Sequence, residues 1–394
     1  MSDGRLRLIV LGYIVRGPLG GMAWHHLQYV IGLARLGHEV LFLEDSGDSE
    51  WCCYDPSRDF TDSNPSYGLA FVARAFELVG LAGCWSYYDA HTGRWYGPAA
   101  DRALQACTKA DVVLNLSGAN PLRPWLLDAP HRVLIDTDPV FTQIRHLTES
   151  ARRESAEKHT AFFSYGENLG RGATVPDDRF NWQPTRQPIV LDAWPVVPGP
   201  PDGSFTTVMQ WDSYRPREYA GRRFGMKSDS FSPYLSMPGE TGEAFEIAVG
   251  GAEADGVLSP YGWTVRNPIK MIPDLPAYQR FLARSKAEFT VAKQGYTSTR
   301  SGWFSDRSAA YLASGRPVVT EDTGFSDFLP VGDGLLAFRA LDEAIACVRD
   351  VSDRYAHHCR AARAIAERYF DAFTVLDVLL RRVVHPECMP PGVG

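Results

Sequence analysis

The segment that decides the fold is Ser301–Phe325, which reads SGWFSDRSAAYLASGRPVVTEDTGF. After an opening glycine loop, its pattern predicts a short helix from about Ser305 to Ala313. A turn at Ser314–Pro317 ends that helix, and the β-branched run Val318–Thr320 predicts a buried strand. A helix N-terminus offers unpaired backbone N–H groups and a partial positive charge, which suits a diphosphate. The segment therefore predicts an anion-binding loop in an α/β protein.

A second unit of the same kind stands near the start of the chain. Leu6–Gly12 has the pattern of a first strand, and a glycine-rich turn that ends in Gly20 and Gly21 follows it. Apolar residues recur at three- and four-residue spacing through Met22–Leu36, which predicts a helix capped by a glycine. The run His38–Leu43 then returns as a strand. This order predicts a β-α-β unit.

In spacing and in residues, these two segments resemble the GT-B glycosyltransferases that use nucleotide sugars, in particular the group 1 and group 4 type. The N-terminal segment resembles their first β-α-β unit, and the C-terminal one resembles their donor-binding segment. The resemblance implies an α/β fold with two Rossmann-like domains facing each other across a cleft. It also implies that the final helix crosses back to the first domain.

The chain of 394 residues is too long for one ordinary core, so two domains are expected. We predict an N-terminal acceptor-binding domain over 1–187 and a nucleotide-sugar-binding domain over 188–369. The remainder, 370–394, is predicted to be a helix and tail that pack on the first domain. Strands alternating with helices predict parallel sheets, with the last strand of the first domain at 161–165.

Composition narrows the class of function. The net charge is −7 and no block of Lys or Arg occurs, which argues against a nucleic-acid polymer as partner. No run of about 18 apolar residues is present, so no membrane span is expected. The N-terminus has no signal-peptide pattern, and the seven cysteines are scattered without metal-ligand spacing. We therefore expect a cytoplasmic protein with reduced thiols and no metal site.

Under the resemblance, the donor site needs a diphosphate clamp and a pocket for the ribose and base. Ser305 is the candidate N-cap, and Gly302 would let the backbone approach the ligand. Lys293 follows a buried strand, where α/β sheets bind ligands, and Lys227 is a second candidate cation in a loop-like stretch. Each lysine has the alternative of a solvated surface charge. The donor-binding candidates are Gly20, Gly21, Lys227, Ser228, Val265, Lys293, Gly302, Ser305, Asp306 and Arg307.

One departure from the family affects the mechanism. Many retaining relatives carry paired glutamates around this helix, but the corresponding positions here are Gly302 and Ala310. Asp306 lies one helical turn before Ala310, so it is a candidate for the ribose hydroxyls, the alternative being an interaction with the helix dipole only. Arg307 is placed for a phosphate or for the surface. The loss of the glutamates favours an inverting reaction with a base.

Two neighbouring histidines are the first candidates for that base. Inverting relatives often have a histidine directly after the glycine pair, where this chain has Met22, and His25 and His26 follow it. A neutral imidazole suits deprotonation of an acceptor hydroxyl, and His26 is the first choice. Asp136 and Asp138, just past the end of a predicted strand, are the alternatives: one of them would orient the histidine or act as the base.

Aromatic residues mark the candidate acceptor site. Trp85 and Tyr88 belong to an aromatic run in the first domain, and such rings either stack on a ligand or fill the core. Trp182 is a candidate for the edge of the cleft. We predict transfer of a hexose from a UDP-sugar, such as UDP-glucose, to a hydroxyl of a soluble small molecule, a natural product or nucleoside. No metal and no permanently bound cofactor are expected.

Two other functions fit the same fold class. A nucleotide- or NAD-dependent Rossmann enzyme would need GxGxxG after the first strand, and the turn from Gly17 to Gly21 lacks that pattern. A catalytically inactive protein that binds nucleotide sugars would also lack the paired glutamates. The sequence leaves the sugar, the acceptor, the stereochemistry and the oligomeric state open.

Overall fold

The computed structural model describes residues 4–250 and 252–386. Its strands, in chain order, are β1 (Arg7–Leu11), β2 (Glu39–Asp45), β3 (Cys53–Asp55), β4 (Phe60–Asp62), β5 (Trp85–Asp89), β6 (Arg94–Tyr96), β7 (Val112–Leu116), β8 (His131–Asp136), β9 (Ala161–Ser164), β10 (Trp182–Pro184), β11 (Phe205–Gln210), β12 (Arg217–Tyr219), β13 (Arg222–Phe224), β14 (Phe245–Gly250), β15 (Thr264–Arg266), β16 (Ala287–Thr290), β17 (Val318–Glu321) and β18 (Leu335–Phe338).

Helices alternate with these strands through most of the chain. They are α1 (Gly20–Arg35), α2 (Ser66–Leu78), α3 (Ala100–Thr108), α4 (Phe141–Thr148), α5 (Ser150–Glu157), α6 (Lys227–Phe231), α7 (Met237–Thr241), α8 (Ala252–Leu258), α9 (Pro268–Met271), α10 (Leu275–Ala283), α11 (Gln294–Thr299), α12 (Asp306–Ala313), α13 (Leu341–Asp353), α14 (Tyr355–Tyr369) and α15 (Ala372–Val384).

The first sheet has the order β10-β9-β8-β7-β1-β2-β5-β6. Neighbouring strands run parallel, except that β6 is antiparallel to β5. From β1 the chain moves to β2 on one side and later returns to β7 on the other. The carboxyl ends of β1 and β7 therefore form a switch point, where sheets of this kind bind ligands.

The second sheet repeats this plan with the order β15-β14-β11-β16-β17-β18, and its strands are parallel. Its switch point lies between β11 and β16. Central strands are buried on both faces, as in β16, where all four residues are buried. The predicted α/β fold with two Rossmann-like domains is thus confirmed.

Helix α1 is buried on more than one face because three elements cover it. The first sheet packs on one side, while α10 of the second domain and α15 pack on others. Gly32 makes room for α15, since a Cβ there would stand 2.5 Å from Leu376 Cδ1. Leu376 and Leu380 belong to the same buried cluster as Val10 of β1. The last helix thus crosses back to the first domain as predicted, and the predicted tail at 387–394 lies outside the described residues.

The structure corrects two details of the prediction. The first sheet does not end at 161–165, because β10 adds a further parallel strand beside β9. With only three residues, and Pro184 among them, β10 carries no periodic signal, and an edge position tolerates the proline. The stretch around Lys227, predicted to be loop-like, follows the hairpin β12–β13 and begins helix α6. The division after residue 187 remains a prediction and falls in the connection between the sheets.

None of the helices in the described ranges is long and apolar enough to cross a membrane.

Candidate functional site

The carboxyl ends of the two sheets face each other, and an ion pair joins them. Asp138 lies just after β8, and Lys293 lies just after β16. Lys293 Nζ donates to Asp138 Oδ1 over 2.8 Å and to the Tyr214 hydroxyl over 2.9 Å. Its ammonium also lies 4.4 Å from the centre of the Tyr214 ring. Lys293 is therefore engaged between the domains, and its expected place on the donor phosphates remains a prediction.

Asp138 has further partners besides Lys293. Arg145 Nη2 donates to its Oδ2 over 2.7 Å, and the hydroxyls of Tyr214 and Tyr296 also donate to the carboxylate. Burial alone would raise the pKa of Asp138, but Lys293 and Arg145 hold it below the usual range. A carboxylate with four donors and a lowered pKa is a poor general base. Its position instead links the two domains.

Asp136, the other candidate carboxylate, is buried in the first domain. Its oxygens accept hydrogen bonds from Asp138 N, Thr142 Oγ1, Gln143 Nε2 and Ser164 Oγ. Burial raises its pKa. These bonds fix the turn between β8 and α4, so the expectation that Asp136 acts as a base or orients a histidine is corrected to a structural role.

His26 is completely buried, at 0% exposure. Its Nδ1–H donates to Met22 O over 2.8 Å, and its Nε2 accepts from Tyr13 N over 3.2 Å. Burial, with His25 beside it, lowers the pKa of His26 to about 3. Both ring nitrogens are engaged, so the expectation that His26 is the leading base is wrong. The ring holds the loop after β1 on the start of α1.

His25 projects between the two domains. Its Nδ1 lies 3.6 Å from Asp306 Oδ2 on the second domain, and the side chain is 10% exposed. Tyr165 and Gln28 from the first domain and Tyr278 from the second line the same small pocket. The pocket holds about 10 Å³, which is room for one water. Of the two histidines, His25 is the one placed between the domains.

The glycine pair at the start of α1 serves close packing. A Cβ on Gly20 would stand 2.4 Å from Asp274 O, and one on Gly21 would stand 2.9 Å from the Tyr278 ring. Trp24 Nε1 donates to Leu275 O over 3.2 Å beside them. Both glycines thus let α1 approach α10 of the second domain, and their expected contact with the donor remains a prediction.

Gly302 also lies at the junction of the domains. Its φ of +77° is in the left-handed region, and a Cβ would stand 2.7 Å from Asn168 N. Asn168 N donates to Ser301 O over 3.1 Å, next to an antiparallel bridge between Gly166 and Trp303. Gly302 therefore admits the first domain's backbone, and the expectation that it admits the donor is corrected.

The start of α12 holds three donor candidates. Ser305 is the N-cap residue, but its side chain makes no capping hydrogen bond. Asp306 faces His25. Arg307 is engaged within the second domain: it pairs with Glu288, and its Nη1 donates to Val208 O over 2.6 Å. Arg307 thus joins α12 to the sheet, which corrects its expected role at a phosphate.

Lys227 is the candidate cation that the structure leaves without a partner. It begins α6 beside the end of β16, is 7% exposed, and makes no hydrogen bond or ion pair with the described residues. Burial, aided by the charge of Arg307, lowers its pKa well below the usual value, while Glu288 and Glu321 act in the opposite direction. The next residue, Ser228, donates to Asp212 Oδ1 over 2.5 Å.

Val265 stands apart from this group. It lies in β15, the edge strand, two strands from β11 at the switch point. Its side chain packs against the core of the second domain. The expectation that Val265 contacts the donor remains a prediction.

Two glutamates were not among the candidates. Glu321 ends β17, and its Oε2 accepts from Ala292 N over 3.0 Å. Burial raises its pKa to about 7, although Lys227 lowers it. Glu44 is fully buried and accepts from the backbone N–H groups of Ile14, Val15 and Arg16. In the sequence, each of these glutamates directly follows an apolar or β-branched run that predicts a strand, and that position could have identified them.

The aromatic candidates have different environments. Trp85 is 5% exposed and packs on Phe76, so it belongs to the core and the expectation of an acceptor contact is corrected. Tyr88, at the carboxyl end of β5, lies 4.8 Å from Trp95 and 5.1 Å from Trp125 between ring centres. These three rings form a partly exposed cluster at the edge of the first sheet.

Trp182 lies in β10 at the other edge of that sheet. Its indole N–H donates to Asp178 Oδ1 over 2.9 Å, and its ring stacks at 7° on His146. The side chain is thus engaged within the first domain. No group of three or more His, Cys, Asp or Glu side chains arranged to hold a metal ion occurs in the part of the chain that the structure describes.

Comparison with known proteins gives a likeness in structure. No protein-family model matches the sequence, and no curated protein matches it. An α-glucosyltransferase solved with UDP-glucose and DNA containing an abasic site superimposes with a TM-score of 0.60 at 9% identity, over 96% of this chain and 100% of that one. AviGT4, a glycosyltransferase involved in avilamycin A biosynthesis, gives a TM-score of 0.53 at 13% identity, over 96% and 97%.

A third structure, sucrose-phosphate synthase from Thermosynechococcus elongatus, gives a TM-score of 0.55 at 12% identity, over 96% of this chain and 100% of that one. These neighbours are glycosyltransferases of the GT-B type. At such identities the likeness establishes the fold alone. The chain has the GT-B fold over nearly its whole length, in agreement with the resemblance of its two segments.

Proposed function

We propose that this chain is a glycosyltransferase that moves a hexose from a UDP-sugar to a hydroxyl of a soluble small molecule, without a metal ion. The observation that carries the proposal is Lys227, a buried amine that makes no hydrogen bond or ion pair with the described residues, although Glu288 and Glu321 act on its charge from farther away. A buried and unpaired charge is costly, so a protein that keeps one beside a ligand-binding edge is suited to bind an anion there. A sugar nucleotide brings its diphosphate as that anion.

The position of Lys227 supports this assignment. It follows β13 and lies next to the end of β16, since Gln294 N donates to Met226 O over 3.3 Å. The end of β16 is one side of the switch point of the second sheet, where parallel sheets bind nucleotides. The neighbours AviGT4 and sucrose-phosphate synthase share this fold, and the α-glucosyltransferase was solved with UDP-glucose, which supports a UDP-sugar here.

A divalent metal is not needed in this arrangement. The lysine ammonium can neutralise part of the charge on the β-phosphate as the bond to the sugar breaks, which is how a fixed cation stabilises a leaving group. Glu321 lies close enough to Lys227 for their charges to interact. Its carboxylate is suited to accept hydrogen bonds from the ribose hydroxyls, the task that the sequence assigned to Asp306.

For the acceptor, we propose His25 as the base, with Asp306 opposite. A neutral imidazole would take the proton of the acceptor hydroxyl as that oxygen attacks the anomeric carbon and UDP leaves. The carboxylate of Asp306, 3.6 Å from His25 Nδ1, would stabilise the imidazolium that forms. In the present conformation the pocket between them is too small for a sugar, so substrate binding must separate these side chains.

Titration with UDP is the experiment that tests the proposal. We expect calorimetry to give a micromolar to submillimolar dissociation constant without added metal, and Lys227→Ala to weaken binding at least tenfold. The matched control is Lys270→Ala, an exposed lysine on α9 of the same domain. Equal UDP affinity in the wild-type protein and Lys227→Ala, or binding of NAD in place of UDP, would refute the donor site. UDP binding without transfer to any acceptor would favour an inactive binding protein.

A further inference from the structure

A polar pocket in the first domain adjoins the interdomain ion pair through Arg145 and is separate from the proposed donor site. It opens at the carboxyl edge of the first sheet, beside Ser117 and Gly118, which follow β7. Leu134 and Asp136 of β8 form one wall. Helices α4 and α5 supply the rest with Thr142, Arg145, His146, Arg152, Ser155, Ala156 and His159. Its volume of about 50 Å³ is room for a few waters or for one tetrahedral oxyanion.

The hydrogen-bonding capacity left free in this pocket is mainly that of donors. Arg152 makes one ionic contact, with 3.8 Å between its Nε and Glu149 Oε2, so the rest of its guanidinium is unengaged within the described chain. The Ser155 hydroxyl likewise makes no hydrogen bond with the described residues. Arg145 adds a second guanidinium, which is partly engaged by Asp138. Unengaged donors and two cations favour an anionic ligand.

The one carboxylate in the wall does not oppose an anion strongly. Both oxygens of Asp136 are occupied by donors from Thr142, Gln143 and Ser164 and from the Asp138 backbone. Burial raises its pKa, and the four hydrogen bonds act in the opposite direction. The carboxylates that contact the two arginines of the pocket are Asp138, which pairs with Arg145 and Lys293, and Glu149, which pairs with Arg217.

Two buried, hydrogen-bonded histidines, His146 and His159, form the inner wall of this pocket. His146 is 7% exposed, and its Nδ1–H donates to the buried Asp178 over 2.7 Å, which leaves its Nε2 without a partner among the described residues. His159 is also 7% exposed, and its Nε2 accepts from Asn115 Nδ2 over 3.1 Å. In this neutral tautomer the free Nε2 of His146 is an acceptor, so it can bind a hydroxyl or a water beside the ligand but not an oxyanion.

We propose that this pocket binds a tetrahedral oxyanion carried by the acceptor, a phosphate or sulfate ester, with Arg152, Arg145 and Ser155 as its donors. The proposal rests on the proposed function, because it names the class of acceptor for that reaction. The pocket lies in the first domain at the edge that faces the second. An ester held there would orient the rest of the acceptor towards the space between the domains.

The test uses inorganic phosphate as probe on the full-length protein, with UDP present at saturation so that the donor site is filled. We expect phosphate to bind to the wild-type protein, and the double variant Arg152→Gln/Ser155→Ala to bind it at least tenfold more weakly. Arg74→Gln, an exposed arginine on α2 outside the pocket, is the matched control and should bind like wild type. Arg152 is exposed, so its loss should not unfold the domain.

Further titrations identify the chemistry. Sulfate should compete with phosphate, and acetate should not, since a planar carboxylate fills the tetrahedral site poorly. Transfer assays should then give a higher kcat/KM for phosphorylated acceptors than for their parent alcohols, with the preference lost in the double variant. Absence of phosphate binding, or equal binding in wild type and the double variant, would overturn the proposal. UDP affinity, measured in the same samples, reports separately on the proposed function.

Discussion

Lys293 and Asp138 form an ion pair that joins the two domains, with 2.8 Å between Nζ and Oδ1. Each lies two or three residues beyond the carboxyl end of a strand, so the pair connects the edges of both sheets. The hydroxyls of Tyr214 and Tyr296 complete the surroundings of the carboxylate. One partner comes from each domain, so the ion pair forms only when the two domains pack together.

Removal of one partner should destabilise the protein more than removal of both. We expect Asp138→Asn to lower the free energy of unfolding by about 3 kcal/mol, because it leaves the Lys293 ammonium buried without its carboxylate. Lys293→Met should cost less, because Arg145 still pairs with Asp138. In the double variant the loss should be smaller than the sum of the single losses, as measured in a double-mutant cycle by urea denaturation. Additive losses would show that the pair is not coupled.

The same pair has a pH dependence of known sign. The pKa of Asp138 is lower in the folded protein than in the unfolded chain. Its contribution to stability is therefore present above the unfolded value and is lost as the pH falls through the folded one. Unfolding measured from pH 7 towards acid should show a smaller loss in Asp138→Asn than in the wild-type protein. The same slope in both proteins would contradict this assignment.

Lys227 should make the binding of UDP depend on pH. Burial lowers the pKa of the free lysine, and a bound diphosphate would raise it again. Affinity should therefore fall as the pH rises through the pKa of the free lysine, with uptake of protons on binding. Calorimetry in buffers of different ionisation enthalpy measures that uptake. Lys227→Arg should keep the affinity and lose the proton uptake, since arginine stays charged; unchanged uptake in this variant would assign it to another group.

Substitution of the two histidines of α1 should affect different properties: His26 the stability, His25 the turnover. His26→Ala removes a buried ring that makes two hydrogen bonds, and we expect a loss of about 2–4 kcal/mol in the free energy of unfolding. Under the proposed function, His25→Ala should lower kcat by about 10²–10⁴-fold and leave UDP affinity and stability nearly unchanged. If the folded His25→Ala protein keeps normal turnover, His25 is not the base. That result would favour a retaining mechanism.

His26 also predicts a loss of stability in acid. Its pKa of about 3 in the folded protein lies below the ordinary value of 6.5. The unfolded chain therefore takes up the proton first, and stability falls as the pH decreases from about 6.5 towards 3. The His26→Ala protein, although less stable at pH 7, should lose less over this range. Denaturant midpoints at several pH values measure the difference, and parallel curves would count against a neutral, buried His26.

The fold was open to prediction because its signals are local. The helix predicted at Ser305–Ala313 is Asp306–Ala313 in the structure, since its apolar spacing and the Ser314–Pro317 turn lie within a few residues of sequence. The first β-α-β unit follows for the same reason. Strand β10 was missed because three residues at a sheet edge carry no period, and the hairpin β12–β13 because its strands are equally short.

The site was harder to predict from the sequence, because the contacts of its side chains are with residues far away in the chain. Lys293 and Lys227 have similar local sequence contexts, yet Asp138, 155 residues from Lys293, engages only the first of them. His25 and His26 are adjacent, and only the packing of α1 decides which ring faces the second domain and which faces Tyr13. Sequence periodicity places a residue on a helix or strand, but it does not identify the group opposite.

Glu321 provides the last prediction, a substitution that should stabilise the protein in alkali. Its carboxyl group has a pKa of about 7 in the folded state, above the ordinary 4.5. A raised pKa means that the stability present below pH 4.5 is lost as the pH rises through 7, because the folded state must give up a proton that it holds more tightly. Glu321→Gln removes this loss, so it should be more stable than wild type at pH 8, by on the order of 2 kcal/mol.

At pH 5 the same substitution should have little effect, because the wild-type carboxyl group is then mostly protonated and resembles the amide. Thermal unfolding at pH 5 and pH 8 gives the comparison, with Glu253→Gln, an exposed glutamate on α8, as control. Under the proposed function, UDP affinity should fall in Glu321→Gln, since an amide accepts the ribose hydroxyls less well than a carboxylate. A variant that is more stable at pH 8 but binds UDP more weakly would show that the buried carboxylate lowers stability and is kept because it binds the ligand. If the wild-type protein and Glu321→Gln are equally stable at both pH 5 and pH 8, ionisation of Glu321 does not lower the stability of the folded protein.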